Sequence, residues 1–288
     1  MTSVGFIGAG TVGTALAVRL NRKGYDVTAV ASRTRVSAER LADMVDGCKV
    51  QGNGQAVADA AEMVFITTPD GVIPQIAAEV KWHRGQSVMH CSGADSLDIL
   101  IPAARRGSLA GGLHPLQTFA SIAHAIENIP GSTFALEAEE PLLGRLKEMT
   151  VALEGRWIEL RPGDKVLYHA AAVFACNYLV TLVKLATDLW QTFGVSAPEA
   201  TEALIPLLRG TTNNLQNVGL PNCLTGPIAR GDSGTIRKHL TALKARAPKL
   251  LPAYQELGRQ TIPIALAKGK IDKEQASELE ALLSQSDW

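Results

Sequence analysis

Apolar and polar positions follow two different patterns along the chain, and the change between them divides it into two parts. Up to about residue 160, short apolar runs typical of buried strands are separated by stretches with helical spacing of apolar positions. The runs predict strands at 4–7, 27–31, 63–67, 87–90, 109–113, 133–136 and 157–160. Because such alternation is typical of βαβ units, this part predicts a Rossmann-type, doubly wound, mainly parallel α/β sheet.

After the polar turn at 161–164 the strand pattern stops, and amphipathic helical patterns continue to the end of the chain. The first helix is predicted to run from Lys165 to Phe193, with Gly194 as its stop signal. Further helices are predicted at 198–208, 233–245, 248–266 and 273–283. The chain therefore predicts a Rossmann domain at 1–162 and an all-α C-terminal domain at 163–288.

A glycine-rich loop, Gly8-Ala9-Gly10-Thr11-Val12-Gly13, follows the first predicted strand and opens the first helix. In this setting Gly8 permits a tight turn, Gly10 lets the backbone approach a pyrophosphate, and Gly13 lets the helix pack close to the strand. The N–H groups of the helix, with Thr11 and Val12 at its start, attract phosphate. The loop predicts a dinucleotide site, although a purely structural turn would have the same pattern.

The second predicted strand indicates which dinucleotide binds. An NAD enzyme would have an acidic residue at the end of this strand, whereas this chain has Ser32 and Arg33, followed by Arg35. A hydroxyl and a guanidinium can bind the 2′-phosphate of NADP, so the pattern favours NADP over NAD. The alternative is that these arginines are solvated charges at the start of a helix.

Two later strands end in polar residues at the same expected edge of the sheet. Thr67, Thr68 and Pro69 end the third predicted strand, and Ser92 follows the fourth. Because dinucleotides lie along the carboxyl edge of such sheets, these residues are predicted to border the cofactor. Plain turn chemistry is the alternative for each side chain.

Four motifs together resemble a known family: the glycine loop, residues 112–119, Lys165 and His169 with Asn177, and residues 224–232. The chain resembles the Rossmann-like oxidoreductases of the 6-phosphogluconate dehydrogenase-like superfamily that have a C-terminal helical domain of unknown function. The resemblance implies NADP binding, a homodimer formed through the helical domains, and a site in the cleft between the domains. Some members are thought to be ketopantoate reductases, so the resemblance leaves the substrate open.

Reduction of a carbonyl by NADPH needs a proton donor within hydrogen-bond reach of the oxygen. On one continuous helix Lys165, His169 and Asn177 would fall within about 120° of arc, so all three could face a substrate. We predict that Lys165 is the proton donor, His169 the alternative donor, and Asn177 a residue that orients the substrate. Related hydroxyacid dehydrogenases have Asn four residues after this Lys, where this chain has His169. Structural roles for Lys165 and His169 remain the alternative.

Three further residues are predicted to bind substrate. His114 and Gln117 follow the fifth strand and can bind a carboxylate or carbonyl, although a structural loop histidine fits equally well. Arg230 lies in a glycine-bounded loop and is a natural partner for a substrate carboxylate. An ion pair between Arg230 and Asp232 is the competing explanation.

Composition narrows the class of protein. Lys plus Arg and Asp plus Glu number 28 each, so the neutral chain offers no general field for nucleic acid or an anionic membrane. The four cysteines and six histidines have no metal-site spacing, and no leader precedes the first strand, so we expect a cytoplasmic protein without a metal. The apolar stretch at 168–183 is interpreted as a buried soluble helix.

These features predict an NADPH-dependent reductase of a small oxo acid, with ketopantoate as the first guess. Reduction of a cyclic imine, as in pyrroline-5-carboxylate reductases, is a second reading. A protein that binds NADP as a sensor or scaffold without turnover is the third.

Overall fold

The computed structural model describes residues 2–285 and divides the chain into two compact units. The first unit ends at Cys176 and the second begins at Asn177. Helix Lys165–Ala175, which follows the domain boundary expected from the sequence, falls within the first unit.

The first unit is built on one eight-stranded sheet. Its strands are β1 (Ser3–Ile7), β2 (Asp26–Ala31), β3 (Lys49–Val50), β4 (Met63–Ile66), β5 (Ser87–His90), β6 (Leu109–Leu116), β7 (Thr133–Ala138) and β8 (Arg156–Glu159). The order is β3-β2-β1-β4-β5-β6-β7-β8, and every neighbouring pair is parallel except β6 with β7. The seven predicted strands and the Rossmann-type sheet are confirmed. Strand β3 was missed because two residues cannot form a recognisable period.

Helices cover the sheet in the order that a doubly wound fold requires. They are α1 (Thr11–Arg22), α2 (Arg35–Asp43), α3 (Gly54–Ala60), α4 (Ile73–Glu79), α5 (Ile101–Ala104), α6 (Ile122–Asn128), α7 (Leu142–Ala152) and α8 (Lys165–Ala175). Two apolar clusters form the core, one containing Phe6, Phe65 and Phe134 and the other Ile66, Trp82 and Val88. Because β1, β2, β4, β5 and β6 are parallel, their carboxyl ends lie at one edge of the sheet.

The second unit contains only helices among its described residues. They are α9 (Asn177–Gln191), α10 (Ala197–Asn217), α11 (Ser233–Arg246), α12 (Leu251–Ala267) and α13 (Lys273–Leu283). Ile236, Leu240, Ile262 and Leu279 form its buried core. Helix α10 is longer than predicted because it accommodates Pro206 and continues through Gly210.

The prediction of one helix from Lys165 to Phe193 is wrong in its continuity. Cys176, with φ −114° and ψ −66°, departs from helical geometry although its N–H still bonds Ala172, so α8 ends at Ala175 and α9 begins at Asn177. Lys165 and His169 therefore lie on the same helix, α8, whereas Asn177 begins α9. The predicted common face of one helix holds only for the first two residues.

The interpretation of the 168–183 stretch as a buried helix is also wrong. Segment Lys165–Gln191 is long and apolar enough by composition to cross a membrane, and its most apolar stretch is not buried, although Lys165 and Thr187 within the segment are. Phe174 and Val180 are 72% and 69% exposed. The same segment contains an ion pair between Lys184 and Asp188, whose charged atoms are 2.6 Å apart.

Candidate functional site

Steric contacts fix the conformation of the glycine loop. Gly8 has φ +114°, and a Cβ there would lie 2.6 Å from the backbone of Thr67. A Cβ on Gly13 would lie 2.3 Å from the hydroxyl of Thr67 and 2.7 Å from the carbonyl of Gly8. A Cβ on Gly10, by contrast, would have its nearest neighbour, the carbonyl oxygen of Thr67, at 4.0 Å, and Gly10 is the N-cap residue of α1. The first N–H groups of a twelve-residue helix are thus available at an uncrowded glycine, as phosphate binding requires.

The residues after β4 hold this loop in place. Thr67 donates its hydroxyl to the carbonyl of Gly8 at 2.8 Å, and its N–H bonds the carbonyl of Ile7 at 2.8 Å. The hydroxyl of Thr68 is buried and has no hydrogen-bond partner within residues 2–285. Pro69, which follows, is exposed. Thr67 therefore acts on the loop itself, and Thr68 is the hydroxyl with free hydrogen-bonding capacity.

The arginines after β2 differ in what they contact. Arg35 forms an ion pair with Glu39 at 2.8 Å. Arg33 is exposed and makes no ion pair with any residue in the described part of the chain, and Ser32 beside it is half-buried. Arg40, the residue after Glu39, donates to the carbonyl of Ala9 in the glycine loop at 3.5 Å. Arg33 is thus the guanidinium with its hydrogen-bonding capacity left for a ligand.

Ser92 is more constrained than the sequence suggested. Its hydroxyl lies 3.0 Å from a carboxylate oxygen of Asp70 and 2.8 Å from one of Asp95, and it accepts from the N–H groups of Ala94 and Asp95. Because one hydroxyl has one proton to donate, Ser92 is occupied in fixing the turn after β5.

Lys165 is buried against the sheet, with only 2% of the residue exposed. Its Nζ lies 3.7 Å from Oε2 of the buried Glu137 on β7, which is ion-pair distance but longer than a hydrogen bond. Burial lowers the pKa of Lys165, and the charge of Glu137 opposes that shift. The start of α8 therefore delivers an ammonium group to the carboxyl edge of the sheet.

Histidines from two elements meet above Gly93. Nε2 of His114 and Nε2 of His169 lie 2.9 Å and 3.0 Å from the position that a Cβ of Gly93 would occupy. Nδ1 of His114 is 2.7 Å from the hydroxyl of Tyr168, and the rings of His114 and His169 are 6.1 Å apart. One face of α8 thus places Tyr168 and His169 against His114 on β6.

Burial makes His90 and His114 poor bases. Desolvation, then the nearby charges of Lys165 and His114, lower the pKa of His90 to about 3. Desolvation, with Lys165 and His169, lowers the pKa of His114 to about 4. Burial raises the pKa of Tyr168 to about 12. At neutral pH both histidines are uncharged, so each can donate or accept a hydrogen bond at a different ring nitrogen.

No described contact joins the remaining predicted residues, Gln117, Asn177 and Arg230, to this cluster of side chains. Gln117 is exposed and uses its side chain on the N–H of Thr118 and the hydroxyl of Ser132. Asn177 begins the second unit and is exposed. Arg230, also in the second unit, lines a cavity of about 380 Å³ with Thr225, Gly226 and Lys270.

Arg230 does not form the ion pair with Asp232 that was the alternative to a role in substrate binding. Asp232 uses its carboxylate to cap α11, accepting from the N–H of Thr235 at 2.9 Å and from its hydroxyl at 2.7 Å. The charge of Arg230 contributes to lowering the pKa of Asp232, yet the two side chains are not within 4.0 Å. Arg230 therefore keeps its guanidinium available to a ligand.

Sequence reasoning missed three residues of the site: Tyr168, His90 and Glu137. Tyr168 lies three residues after Lys165, and that helical spacing could have placed it on the same face. His90 is the last residue of β5, and its position there gave no signal of a role in the site. Glu137 gave no local signal, since its place depends on the pairing of β7 with β6.

Comparison with known proteins agrees with this organisation. Residues 1–115 match the model of a Rossmann-like domain, and residues 132–261 match that of a domain of unknown function, DUF2520. A search of curated protein sequences finds no match.

Solved structures share the fold across nearly the whole chain. A Bacteroides fragilis protein provisionally named an NADP oxidoreductase is 25% identical, with a TM-score of 0.71 over 91% of this chain and 98% of its own. A reductive aminase from Aspergillus terreus, solved with NADPH and ethyl levulinate, is 18% identical, with a TM-score of 0.67 over 98% and 99%. A pyrroline-5-carboxylate reductase from Coxiella burnetii is 16% identical, with a TM-score of 0.59 over 96% and 98%.

Proposed function

Because this chain is a Rossmann-like protein with a C-terminal DUF2520 domain, we propose that it is an oxidoreductase that uses NADPH to reduce the carbonyl of a small oxo acid. The observation that supports this most is the shared edge of the sheet. The glycine loop follows β1, and three strands away the side chains of His114, Lys165 and His169 converge. At about 4.8 Å per strand, that separation is about 14 Å, a distance that a dinucleotide can span.

Each part of the cofactor is bound by its own set of residues. The N-terminus of α1 and Gly10 bind the pyrophosphate, with Thr11, Val12 and Gly13 completing the loop. Ser32 and Arg33 bind the 2′-phosphate. When bound, the cofactor supplies the hydride. The Bacteroides fragilis neighbour, at 25% identity, and the NADPH complexes of the fold support this assignment.

Reduction of the carbonyl also needs a group that supplies the proton. Reduction adds a hydride to the carbonyl carbon and a proton to the oxygen, giving an alcohol. Lys165 donates the proton or polarises the oxygen, and His169, half-buried over Gly93, is the alternative donor. His114, held by Tyr168, orients the substrate, and ketopantoate is the first substrate to test.

A screen monitored by NADPH absorbance tests the proposal. A panel of oxo acids, starting with ketopantoate, is compared with a panel of cyclic imines, using the parent protein and Lys165→Met. Oxo-acid turnover that collapses in the variant is the expected result. Turnover of imines alone, with no dependence on Lys165 or His169, would assign the protein to the second reading, which the folds of the reductive aminase and pyrroline-5-carboxylate reductase favour. Tight NADPH binding without turnover of either panel would indicate a sensor.

The proposal includes a homodimer formed through the helices that follow residue 164. Leu167 on α8 and Val180 on α9 are 76% and 69% exposed. Phe174, Leu179 and Leu182 are also exposed. Large apolar side chains exposed on α8 and on α9 are typical of surfaces that are buried between protein chains.

A further inference from the structure

Three neighbouring strands place His90, Gly112 and Glu137 side by side. His90 at the end of β5 pairs with Gly112 on β6, and Gly112 pairs with Glu137 on β7. Paired residues on adjacent strands project from the same face of a sheet. Because the middle residue has no side chain, a gap separates the histidine from the carboxylate.

The ammonium group of Lys165 occupies that gap. Its Nζ is 2.9 Å from the position that a Cβ of Gly112 would take, and Nε2 of His90 is 3.6 Å from the same position. Glu137 approaches from the other side, with 3.7 Å between its Oε2 and Nζ. The side chains of Lys165 and Glu137 are 3% and 8% exposed, so little solvent reaches either charge.

Hydrogen bonding within the chain does not explain this arrangement. Lys165 Nζ, Glu137 Oε2 and His90 Nε2 are all buried, and none has a hydrogen-bond partner within residues 2–285. Nδ1 of His90 accepts from the N–H of Ser92 at 3.2 Å, so the proton of the neutral ring is on Nε2, facing the same gap. Buried ion pairs cost desolvation energy and are weak contributors to stability. The cluster is therefore better explained by chemistry than by stability.

We propose that Glu137 is the positioning residue of Lys165: it holds the ammonium over Gly112, and the absent side chain of Gly112 is what lets the two groups meet. The inference rests on the proposed function insofar as Lys165 serves as proton donor. The position of Lys165 and its state of charge, however, are properties of the chain that can be measured without substrate.

The charges around Lys165 support this role for Glu137. Burial is the largest influence and lowers the pKa of the lysine, and Glu137 is the largest opposing one, ahead of Cys91 and Asp95. The other titratable groups on the packed elements are His90 on β5, His114 on β6, and Tyr168 and His169 on α8 itself. Both His90 and His114 are neutral, so Glu137 is the group that most strongly opposes the lowering of the Lys165 pKa by burial.

A titration of the lysine side chains tests the proposal directly. The protein is prepared with ¹³C-labelled lysine, and the Lys165 signal is identified by its loss in Lys165→Met. In Glu137→Gln, the pKa of Lys165 should fall by about one to three units, the usual effect of removing a close opposite charge. Glu139→Gln makes the same chemical change at an exposed position two residues away and should leave the pKa unchanged.

A conservative variant covers the case in which Glu137→Gln fails to fold. Glu137→Asp keeps the charge but moves it away by one methylene, so the pKa of Lys165 should lie between those of the parent and the glutamine variant. An unchanged pKa in either folded variant would overturn the proposal. With a substrate from the screen, the fall of kcat at alkaline pH should shift downward by the same amount in Glu137→Gln. Failure of the screen would refute the proposed function alone, because the titration is independent of it.

Discussion

Arg35 is paired with Glu39 one helical turn away, at 2.8 Å, and this pairing distinguishes it from Arg33 two residues earlier. The sequence could not separate the two arginines, since both follow β2 and both are charged. In the structure Arg33 is the residue whose guanidinium is available to a 2′-phosphate.

Replacing Arg33 should therefore remove the preference for NADPH. We expect NADPH to bind more tightly than NADH, and Arg33→Ala to abolish most of the difference, which is about 1.5–3 kcal/mol for one charge-assisted contact. Fluorescence titration with both cofactors measures this. Arg35→Ala is the matched control and should change the preference little. Equal affinities of the parent protein for the two cofactors would refute the assignment.

The proton donor should be needed for turnover and not for cofactor binding. Lys165→Met should lower kcat by roughly a hundredfold to ten-thousandfold, because a proton donor acts mainly in the transition state. NADPH affinity, measured by fluorescence, should stay nearly unchanged, with circular dichroism as the check on folding. If His169→Ala abolishes turnover while Lys165→Met costs less than about tenfold, His169 is the donor.

The buried neutral histidines should make folding sensitive to acid. His90 has a pKa of about 3 in the folded protein against 6.5 when unfolded, so its contribution is complete above pH 6.5 and is lost as the pH falls toward 3. The loss is about 1.4 kcal/mol per pH unit in that window, or about 2 kcal/mol at about pH 5.

Urea denaturation at neutral pH and at about pH 5 checks this prediction. His90→Asn keeps an acceptor for the N–H of Ser92 but cannot titrate. On acidification its free energy of unfolding should therefore fall by about 2 kcal/mol less than that of the parent protein. The exposed His124, changed to Asn, serves as the control and should behave as the parent. Parallel losses in all three proteins would show that His90 does not couple to folding.

Light scattering at micromolar concentration should give the mass of a dimer, twice 30.6 kDa. Val180→Lys places a charge on the exposed apolar face of α9 and should raise the dimer dissociation constant at least about tenfold. Leu257→Lys also replaces an exposed apolar residue by lysine, on α12, and should leave the dimer dissociation constant unchanged. A monomeric parent protein would contradict the prediction.

Local sequence signals predicted the features that depend on local geometry. The glycine loop was recognisable because Gly8, Gly10 and Gly13 have fixed spacing between a strand and a helix. Most strands of the first unit were visible as apolar runs of adequate length, whereas the two-residue β3 was missed. The continuity of α8 with α9 was misjudged because the break at Cys176 comes from backbone angles that no glycine or proline announces.

The surroundings of Lys165 could not be predicted in this way. Glu137 meets the lysine only because β7 runs antiparallel to β6 and pairs in a register that puts it beside Gly112. A shift of that register by one residue would turn Glu137 to the other face of the sheet. Such a relationship is set by tertiary packing across 28 residues of sequence, and no periodicity in either strand encodes it.

The steric contacts of the glycine loop also define where this protein can be re-engineered. Any side chain at Gly8 or Gly13 would collide with Thr67 or with the loop itself, so these two positions do not tolerate substitution, whichever cofactor is wanted. The positions at 32 and 33 lie on the surface after β2 and have no such constraint. A change of coenzyme from NADPH to NADH should therefore be sought by introducing an acidic residue at position 32 or 33, with the glycine loop left unchanged.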